Sequence, residues 1–312
     1  MNYNLIIITG PTASGKTALA VKVAHALNTE IISADSRQVY RGLDIGTGKD
    51  LREYYINGCL IPYHLIDIVD PSENFDLFCF YKRFFELFRG FLSRRKVPVL
   101  AGGTALYIHS IIARYRLLDV PTNNSLREEV SHYTMEKLTD LLKSLQSELH
   151  NITDLEDRER LLRAIEIADY RIKNPGVRAM GEDIDVKPLI IGTYWERPLL
   201  KERITKRLLE RLKEGMVEEV KTLHEKGCSW ERLEYFGLEY KYISLYLQGK
   251  LSYDEMVKTL NIRINQFSKK QMGWFRKMER EGFKINWVDK SQRAIDAIEI
   301  AQKVTGKKDS YF

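Results

Sequence analysis

Residues 10–17 read Gly10-Pro11-Thr12-Ala13-Ser14-Gly15-Lys16-Thr17, and this stretch decides the fold. It fits the pattern GxxxxGK[ST] in full, and it lies between an apolar run at residues 5–9 and a helical stretch at 16–27. In such a loop the backbone N–H groups, together with those of the following helix N-terminus, point at phosphate oxygens. Lys16 adds a cation near the terminal phosphates, and the Thr17 hydroxyl can bind Mg²⁺. The stretch therefore predicts a polyphosphate site, and taken alone it suggests ATP.

Apolar runs alternate with helical stretches through the first hundred residues. The runs are rich in Ile, Val and Leu and lie at residues 5–9, 30–34, 65–69 and 97–101, with helical stretches at 16–27 and 75–92. This rhythm predicts an α/β fold of the P-loop NTPase-like class, an open parallel sheet with helices on both faces. Ligands of such sheets bind beyond the carboxyl ends of the strands.

The pattern changes after about residue 118. Residues 122–173 are charged and helical in character, and an apolar run at 188–193 then returns to the sheet. We therefore expect an all-helical insertion domain at 119–185, and a core domain formed by residues 1–118 and 186–312. The helical part of that core domain is broken at Gly215, Gly227, Gly237 and Gly249.

Composition excludes several classes of protein. With 312 residues, 44% apolar and 29% charged, the chain is typical of a folded soluble protein. No run approaches the roughly 20 apolar residues that cross a bilayer. Cys59, Cys79 and Cys228 are few and lack CxxC spacing, which favours free thiols in a reducing cytosol over a metal site or a disulfide framework. We expect a cytoplasmic protein with no membrane partner.

The net charge of +6 matters through its distribution. Between residues 261 and 284 seven basic side chains stand against two acidic ones, interleaved with aromatic residues such as Phe267 and Trp274. This pattern is typical of nucleic-acid binding. A solvated helix face with a buried aromatic stripe has the same pattern, so both interpretations stay open.

Polar and glycine residues follow the predicted strands at the edge where ligands bind. Asp35 ends the second run, where it can hold Mg²⁺ or take a proton from a nucleophile, although an Asp there can also cap the next turn. Gly102-Gly103-Thr104 follows the fourth run, where a glycine pair permits either close approach of a ligand or a tight turn. For Asp67 and Asp70, turn chemistry favours a structural role over a magnesium site.

Six blocks of sequence, in this order, resemble the tRNA dimethylallyltransferase (isopentenyl-tRNA transferase) family over essentially the whole chain. They are the loop 10–17, SADSRQVYRGLDIGTGK at 33–49, HLID at 64–67, AGGTALY at 101–107, DRERLLRAIE at 157–166 and KKQMGWFR at 269–276. A set of six ordered blocks is far more specific than the P-loop by itself.

The resemblance implies transfer of a dimethylallyl group from dimethylallyl diphosphate to the exocyclic amine of the tRNA adenosine just 3′ of the anticodon. In that scheme the loop 10–17 holds the leaving diphosphate, and Lys16, Thr17 and Mg²⁺ stabilise its charge. Asp35 matches the catalytic aspartate that takes the proton of the amine. Arg203 and Arg207 match family arginines near the diphosphate.

The resemblance also implies tRNA contacts, with the helical insertion on the anticodon stem-loop. The residues that match are Asp35, Ser36, Arg37, Gln38, Thr104, Arg127, Glu159, Arg160, Leu161, Leu162, Arg163, Lys269, Lys270, Gln271, Trp274 and Arg276. Arg160 and Arg163 are three residues apart and share a helix face, as phosphate binding requires, although a solvated face has the same spacing. We expect the chain to act as a monomer.

Four positions depart from the family pattern. Gly237-Leu238-Glu239-Tyr240 stands where Gly-Tyr-Arg/Lys-Gln/Glu is usual, so Glu239 replaces a cation. Glu156 stands for Asn, Gly273 for Thr, and Ile264-Asn265 for Thr-Arg. We expect all four on the tRNA side of the site, which predicts a divergent member with an altered tRNA preference or weak activity.

Three other functions compete with this interpretation. A P-loop kinase of a small metabolite would turn over ATP and would not need the basic segment at 269–276. Prenyl transfer to free adenine nucleotides would not need the long insertion. A non-catalytic RNA-binding protein would not need Asp35 together with a complete P-loop.

Overall fold

A computed structural model describes residues 3–145, 157–181, 183–289 and 293–305 of the chain. Its main sheet has six strands in the order β5-β2-β6-β1-β7-β8, and every neighbouring pair is parallel. The strands of this sheet are β1 (Leu5–Thr9), β2 (Ile31–Ser33), β5 (Tyr63–His64), β6 (Val99–Gly102), β7 (Pro188–Thr193) and β8 (Ile285–Val288). A separate antiparallel hairpin consists of β3 (Tyr55–Ile56) and β4 (Cys59–Leu60). The predicted P-loop α/β class is confirmed.

The central strand β1 is buried on both faces, which is why it reads as a continuous apolar run. Ile6 and Ile8 pair with Val99 and Ala101 of β6, and all five residues of β1 are buried. On its other side β1 pairs with β7 from Leu5 to Thr9. This position places the loop after β1 at the middle of the carboxyl edge of the sheet.

Helices cover both faces of the sheet. The helices of this part of the chain are α1 (Lys16–Ala26), α2 (Leu77–Ser93), α3 (Ala105–Ile112), α7 (Arg197–Lys213), α8 (Met216–Glu225), α9 (Trp230–Tyr235), α10 (Leu238–Leu247), α11 (Tyr253–Arg280) and α12 (Arg293–Thr305). On one face α1 and α12 pack with Ile6, Ile8 and Val288 in a common apolar core. On the other face Phe91 of α2 meets His64, and Phe275 of α11 meets Trp287. Alternation along the strands separates these two sets of side chains.

The predicted strand at 65–69 is wrong. Leu65 and Asp67 have φ angles of +63° and +54°, so the backbone there is left-handed and not extended. The edge strand instead ends at His64. Asp67 then accepts a hydrogen bond of 2.5 Å from the buried ammonium of Lys49, which also binds Asp44, so the structural interpretation of Asp67 is confirmed.

The other runs fall close to their predicted places, and the four glycines mark the ends of helices as expected. The runs at 5–9 and 188–193 match β1 and β7, while β2 and β6 are shorter than predicted. Gly215, Gly227, Gly237 and Gly249 all have positive φ and separate α7, α8, α9, α10 and α11. The sequence interpretation missed β8.

The chain forms two compact units, Met1–Ala113 with Asp185–Phe312 and Arg114–Ile184. The second unit contains α4 (Asn124–Glu129), α5 (Met135–Leu145) and α6 (Arg158–Lys173), and its described residues include no strand. Its core is built from apolar residues of all three helices and their connections, including Val130, Leu138 and Ile165. That 119–185 folds as an independent domain remains a prediction. In the described ranges no helix combines the length and the apolarity needed to cross a membrane.

Candidate active site

The loop between β1 and α1 has the backbone conformation of an anion cradle. Gly10, Ala13 and Gly15 have φ angles of +152°, +61° and +81°, and Gly15 leads directly into α1. The first turn of α1 carries no acidic side chain, so no carboxylate of that turn opposes an anion at the helix N-terminus. A Cβ atom at Gly10 would lie 2.1 Å from the Thr193 hydroxyl oxygen, so the loop needs glycine there.

Neighbouring side chains bind the outer carbonyl groups of the loop. Trp195 Nε1 donates to the carbonyl of Ser14 at 3.0 Å, and Arg203 Nε donates to the carbonyl of Ala13 at 2.9 Å. The Arg203 guanidinium also stacks over the Trp195 ring. The Ser14 hydroxyl is buried and lies 2.6 Å from the hydroxyl of Thr193. Because these donors occupy the carbonyl side of the loop, they fix its shape before any ligand binds.

Thr12 is held at both its backbone and its side chain. Its hydroxyl accepts a hydrogen bond from Arg207, and its backbone N–H donates to Gln271 Oε1 at 2.8 Å. Arg207 comes from α7 and Gln271 from α11, so two helices distant in sequence meet at one residue of the loop.

The cationic groups of the site are crowded, and Lys16 and Arg207 are half-buried. Burial and then the neighbouring Arg207 lower the pKa of Lys16 to about 8. Burial and then Arg211 lower the pKa of Arg207 to about 10. Positive charges crowded in this way favour a bound polyanion, which would relieve their repulsion.

Asp35 follows β2 at the same edge of the sheet. One of its carboxylate oxygens accepts hydrogen bonds from the backbone N–H groups of Arg37 at 2.9 Å and Gln38 at 3.4 Å. Ser36 N–H donates to the Thr104 hydroxyl at 3.0 Å, which ties this turn to the start of α3. The expected turn-capping contact is thus present, and the carboxylate of Asp35 also faces the cavity described next.

A cavity of about 300 Å³ unites most of the predicted donor-side residues. Lys16, Thr17, Asp35, Arg203 and Arg207 all line it, together with Thr12, Ala13 and Gly15 of the loop. Gly10, Pro11 and Ser14 do not line the cavity, and they support the loop on the side away from it. Gly102 also lines the cavity, and a Cβ atom there would lie 2.2 Å from the Ala34 carbonyl oxygen, so the glycine pair permits a close approach of two strand ends.

Gln38, which the resemblance assigns to tRNA, also lines the cavity, and the sequence indicated no site role for the other residues of its wall. These other residues are Thr47, Gly48, Asp50, Glu53, Tyr54, Lys206 and Glu210. Burial and then Asp50 raise the pKa of Glu53. Lys206 and Glu210 share a face of α7 with Arg203 and Arg207 at spacings of three and four residues, which is a signal that the sequence did contain. Asp50 and Glu53 follow no predicted strand, so no sequence signal pointed to them.

The segment at 43–49 reaches the cavity because Glu219 of α8 holds it. The Glu219 carboxylate accepts hydrogen bonds from the backbone N–H groups of Asp44, Ile45 and Gly46 at 2.6 to 3.1 Å, and another from the Tyr240 hydroxyl. A Cβ atom at Gly46 would lie 2.7 Å from the Tyr240 ring, so glycine is required there. The Glu219 carboxylate therefore anchors the segment from outside the cavity, in addition to the ion pair of Lys49 with Asp67.

The predicted tRNA residues of α11 divide into two groups. Lys269, Lys270 and Arg276 are exposed and Trp274 is half-buried, with its ring 5.7 Å from that of His109. Gln271 is buried, and its side chain binds the loop 10–17. Arg37 stacks over the Tyr235 ring at 4.6 Å.

In the helical unit the predicted tRNA residues lie on or near α6. Arg160 and Glu159 are exposed, whereas Leu161 and Leu162 pack in the core of the unit. Arg127 and Arg163 both bind the buried carboxylate of Glu166, at 2.7 and 2.9 Å. Burial by itself would raise the pKa of Glu166. The hydrogen bonds from Arg127 and Arg163 outweigh that effect and bring the pKa below its ordinary value. The two arginines are therefore engaged within the unit, and Arg160 presents the exposed cation of the predicted pair.

One departure from the family pattern has charged neighbours close to the cavity. The charged neighbours of Glu239 include Arg211 and the cavity-lining Arg207, and burial raises the pKa of Glu239. That this departure lies on the tRNA side stays a prediction. Gly273 is exposed with open space around it, Ile264 is buried, and Glu156 lies outside the described residues.

Comparison with known proteins identifies relatives along the whole chain. The IPP transferase family model matches residues 38–278, and the isopentenyl transferase model matches residues 3–56. The chain is 53% identical to "tRNA dimethylallyltransferase 1" of Syntrophus aciditrophicus, covering 93% of this chain and 94% of that protein. It is 51% identical to "tRNA dimethylallyltransferase 2" of Citrifermentans bemidjiense, covering 96% and 95%.

Solved structures share the fold. The full-length tRNA isopentenylpyrophosphate transferase of Bacillus halodurans matches with a TM-score of 0.66 and 31% identity, over 97% of this chain and 96% of that chain. A eukaryotic dimethylallyltransferase acting on tRNA matches with a TM-score of 0.76 over 99% of this chain and 81% of that chain, and at 21% identity this likeness shows the fold alone. The resemblance predicted from the six sequence blocks is confirmed, and the chain belongs to the tRNA dimethylallyltransferase (IPP transferase) family.

Proposed function

We propose that the chain transfers a dimethylallyl group from dimethylallyl diphosphate to the exocyclic amine of the tRNA adenosine just 3′ of the anticodon. The observation that carries the proposal is that the P-loop, Lys16, Arg203, Arg207 and the Asp35 carboxylate line one cavity. Family membership supplies the reaction class, and the cavity supplies residues that suit each step of it.

The loop 10–17 holds the diphosphate of the donor. Its backbone N–H groups and the N-terminus of α1 bind the phosphate oxygens, and Lys16, Arg203 and Arg207 neutralise them. When the bond between the allylic carbon and the diphosphate oxygen breaks, negative charge grows on that oxygen. Groups already fixed around the loop stabilise this charge without reorganising.

Asp35 acts on the acceptor. Its carboxylate accepts a hydrogen bond from the exocyclic amine, orients the nitrogen lone pair toward the allylic carbon and takes the proton as the new C–N bond forms. The hydrogen bonds from Arg37 and Gln38 fix one carboxylate oxygen, so the orientation of the group is set by the turn. Thr104 supports the same turn through Ser36.

The residues present fit a magnesium ion held mainly by the substrate. Thr17 and Asp35 both line the cavity, and Mg²⁺ is commonly bound by one or two protein oxygens together with phosphates and water. The described residues include no cluster of three or more His, Cys, Asp or Glu side chains that could hold the ion by themselves. Bound there, Mg²⁺ would neutralise diphosphate charge, and Thr17 would be its protein ligand.

The tRNA contacts remain those that the family resemblance implies, with changes suggested by burial. The exposed cations Lys269, Lys270 and Arg276 on α11 and Arg160 on α6 are suited to phosphate oxygens. Arg37 and Trp274 offer planar surfaces on which an unstacked base can stack. The target base must leave its stack to reach a cavity beside Asp35. Action as a monomer in the cytoplasm stays a prediction.

Incubation with unmodified tRNA, labelled dimethylallyl diphosphate and Mg²⁺ tests the proposal against its competitors. We expect label in tRNA and none in free adenine nucleotides. ATP hydrolysis driven by a small metabolite, without label in tRNA, would identify a kinase. Binding of tRNA with neither reaction would identify a non-catalytic RNA-binding protein.

A further inference from the structure

Gln271 makes two hydrogen bonds that join distant parts of the donor site. Its Oε1 accepts from the backbone N–H of Thr12 at 2.8 Å, and its Nε2 donates to the carbonyl of Gly103 at 2.8 Å. The first partner belongs to the loop 10–17 and the second to the turn after β6. One carboxamide on α11 therefore links the P-loop to the neighbouring strand end.

The site is built around this side chain. Gln271 is only 5% exposed, and a Cβ atom at Gly103 would lie 2.8 Å from its Nε2. The same Cβ atom would lie 3.2 and 3.3 Å from Cε and Nζ of Lys16. Glycine at position 103 thus leaves the space in which the Gln271 carboxamide and the Lys16 ammonium lie next to each other.

The neighbours of Gln271 on α11 behave differently. Lys269 and Lys270 are exposed, while Gln271 is turned inward because the side chains on this helix rotate by about 100° per residue. Phe275, four residues later, is also buried, so Gln271 stands on the packed face of the helix. The sequence block that resembles a tRNA-binding segment therefore contains one residue that serves the donor instead.

We propose that Gln271 is a positioning residue of the diphosphate cradle and not a tRNA contact. It fixes the Thr12 backbone and holds the loop against the Gly103 turn, so that the cradle and Lys16 are in place before the donor binds. The inference rests on the proposed function, because it assigns the loop 10–17 to the donor diphosphate.

Replacing Gln271 removes a partner of the Thr12 N–H and a partner of the Gly103 carbonyl. In Gln271→Leu, a side chain of similar size, the Thr12 N–H and the Gly103 carbonyl lose their bonds within a buried space, which disfavours the present loop conformation. In Gln271→Glu the acceptor for Thr12 is kept, but an ionised carboxylate cannot donate to Gly103 and would add negative charge beside the diphosphate. Both changes act on donor binding, and neither touches an exposed surface.

The test measures pyrophosphate and tRNA binding separately, by calorimetry and by filter binding with the full chain and Mg²⁺. We expect Gln271→Leu and Gln271→Glu to weaken pyrophosphate binding about tenfold or more, and to leave tRNA affinity within about twofold, where tenfold corresponds to 1.4 kcal/mol. In steady-state transfer the KM for the donor should rise, while the KM for tRNA stays constant. Gln266→Leu, on the exposed face of the same helix, is the matched control and should change neither affinity.

A second variant keeps the test independent of folding. Gly103→Ala should weaken pyrophosphate binding because its Cβ displaces Gln271 and Lys16, and this loss should shrink in a Gln271→Ala background, where the space is open. Thermal unfolding of each variant shows whether it folds. If the Gln271 variants lose tRNA affinity but keep their pyrophosphate affinity, the inference is wrong and Gln271 is a tRNA contact. Failure of the unsubstituted protein to bind pyrophosphate would instead contradict the proposed donor site.

Discussion

At the scale of single residues, the donor site is a set of crowded cations around a backbone cradle. Burial and then Arg207 lower the pKa of Lys16, burial and then Arg211 lower the pKa of Arg207, and Lys16 and Arg207 line the same cavity. The sequence could predict Lys16 and Thr17 because their role follows from the P-loop pattern, and Arg203 and Arg207 because they match a family motif. It could not predict Asp50 and Glu53, because the three-dimensional path of the backbone decides which residues line a cavity. A local sequence pattern contains no information about that path.

The lowered pKa of Lys16 predicts how donor binding depends on pH. With a pKa of about 8, Lys16 is charged below pH 8 in the free protein, and its contribution to diphosphate binding is fully present there. Above pH 8 the lysine loses its proton, so binding must take one up and affinity falls. The ratio of pyrophosphate association constants for the natural protein and Lys16→Met, measured by calorimetry from pH 6.5 to 9.5, should decline above pH 8. A ratio that stays constant across this range would exclude Lys16 as the titrating group.

Substitution of Asp35 should separate chemistry from binding. Asp35→Ala should lower the transfer rate by a factor of about 10² to 10⁴, the usual contribution of a general base, and leave tRNA affinity largely intact. Asp35→Asn keeps an oxygen for the Arg37 and Gln38 N–H groups, so it preserves the turn but cannot take a proton. Single-turnover rates and filter binding measure the two effects. Near-normal turnover of either variant would remove Asp35 from the mechanism.

At the scale of elements, periodicity located most strands and helices of the core, and its failures have physical causes. The run at 65–69 is mostly apolar, yet Leu65 and Asp67 adopt positive φ, and buried Lys49 holds the Asp67 carboxylate in that conformation. A long-range ion pair of this kind overrides local preference. The strand β8 has only four residues, contains the polar Asn286 and lies between Lys284 and Asp289, so its apolar pattern does not stand out in the sequence.

The contact of α8 with the segment at 43–49 predicts a coupling between stability and donor binding. Glu219→Ala leaves three backbone N–H groups of that segment without their acceptor, and should lower the free energy of unfolding by about 2 kcal/mol. Because Thr47 and Gly48 line the cavity, the KM for the donor should rise as well. Urea unfolding and steady-state kinetics check both effects. The exposed neighbour substitution Glu218→Ala should change neither, and equal effects of the two variants would contradict the anchoring role.

At the scale of the whole molecule, two compact units divide the tasks of the proposed reaction. The unit that contains the sheet carries the donor cavity, Asp35 and the basic residues of α11, and the helical unit carries Arg160 on α6. The order of motifs in the sequence was enough to predict both the fold class and the family, because the blocks are specific in combination. The inward turn of Gln271 and the donor-side neighbours of Glu239 depend on how distant helices pack, and they required the structure.

The central claim is that the cavity beside Asp35 prenylates one defined adenosine. Two transcripts of one tRNA, which differ in carrying A or G just 3′ of the anticodon, test it most directly when each is incubated with dimethylallyl diphosphate and Mg²⁺ and digested for nucleoside mass spectrometry. We predict that the adenosine transcript alone gains one five-carbon prenyl group, and that this product disappears with Asp35→Ala. Equal modification of both transcripts, or of neither, would contradict it.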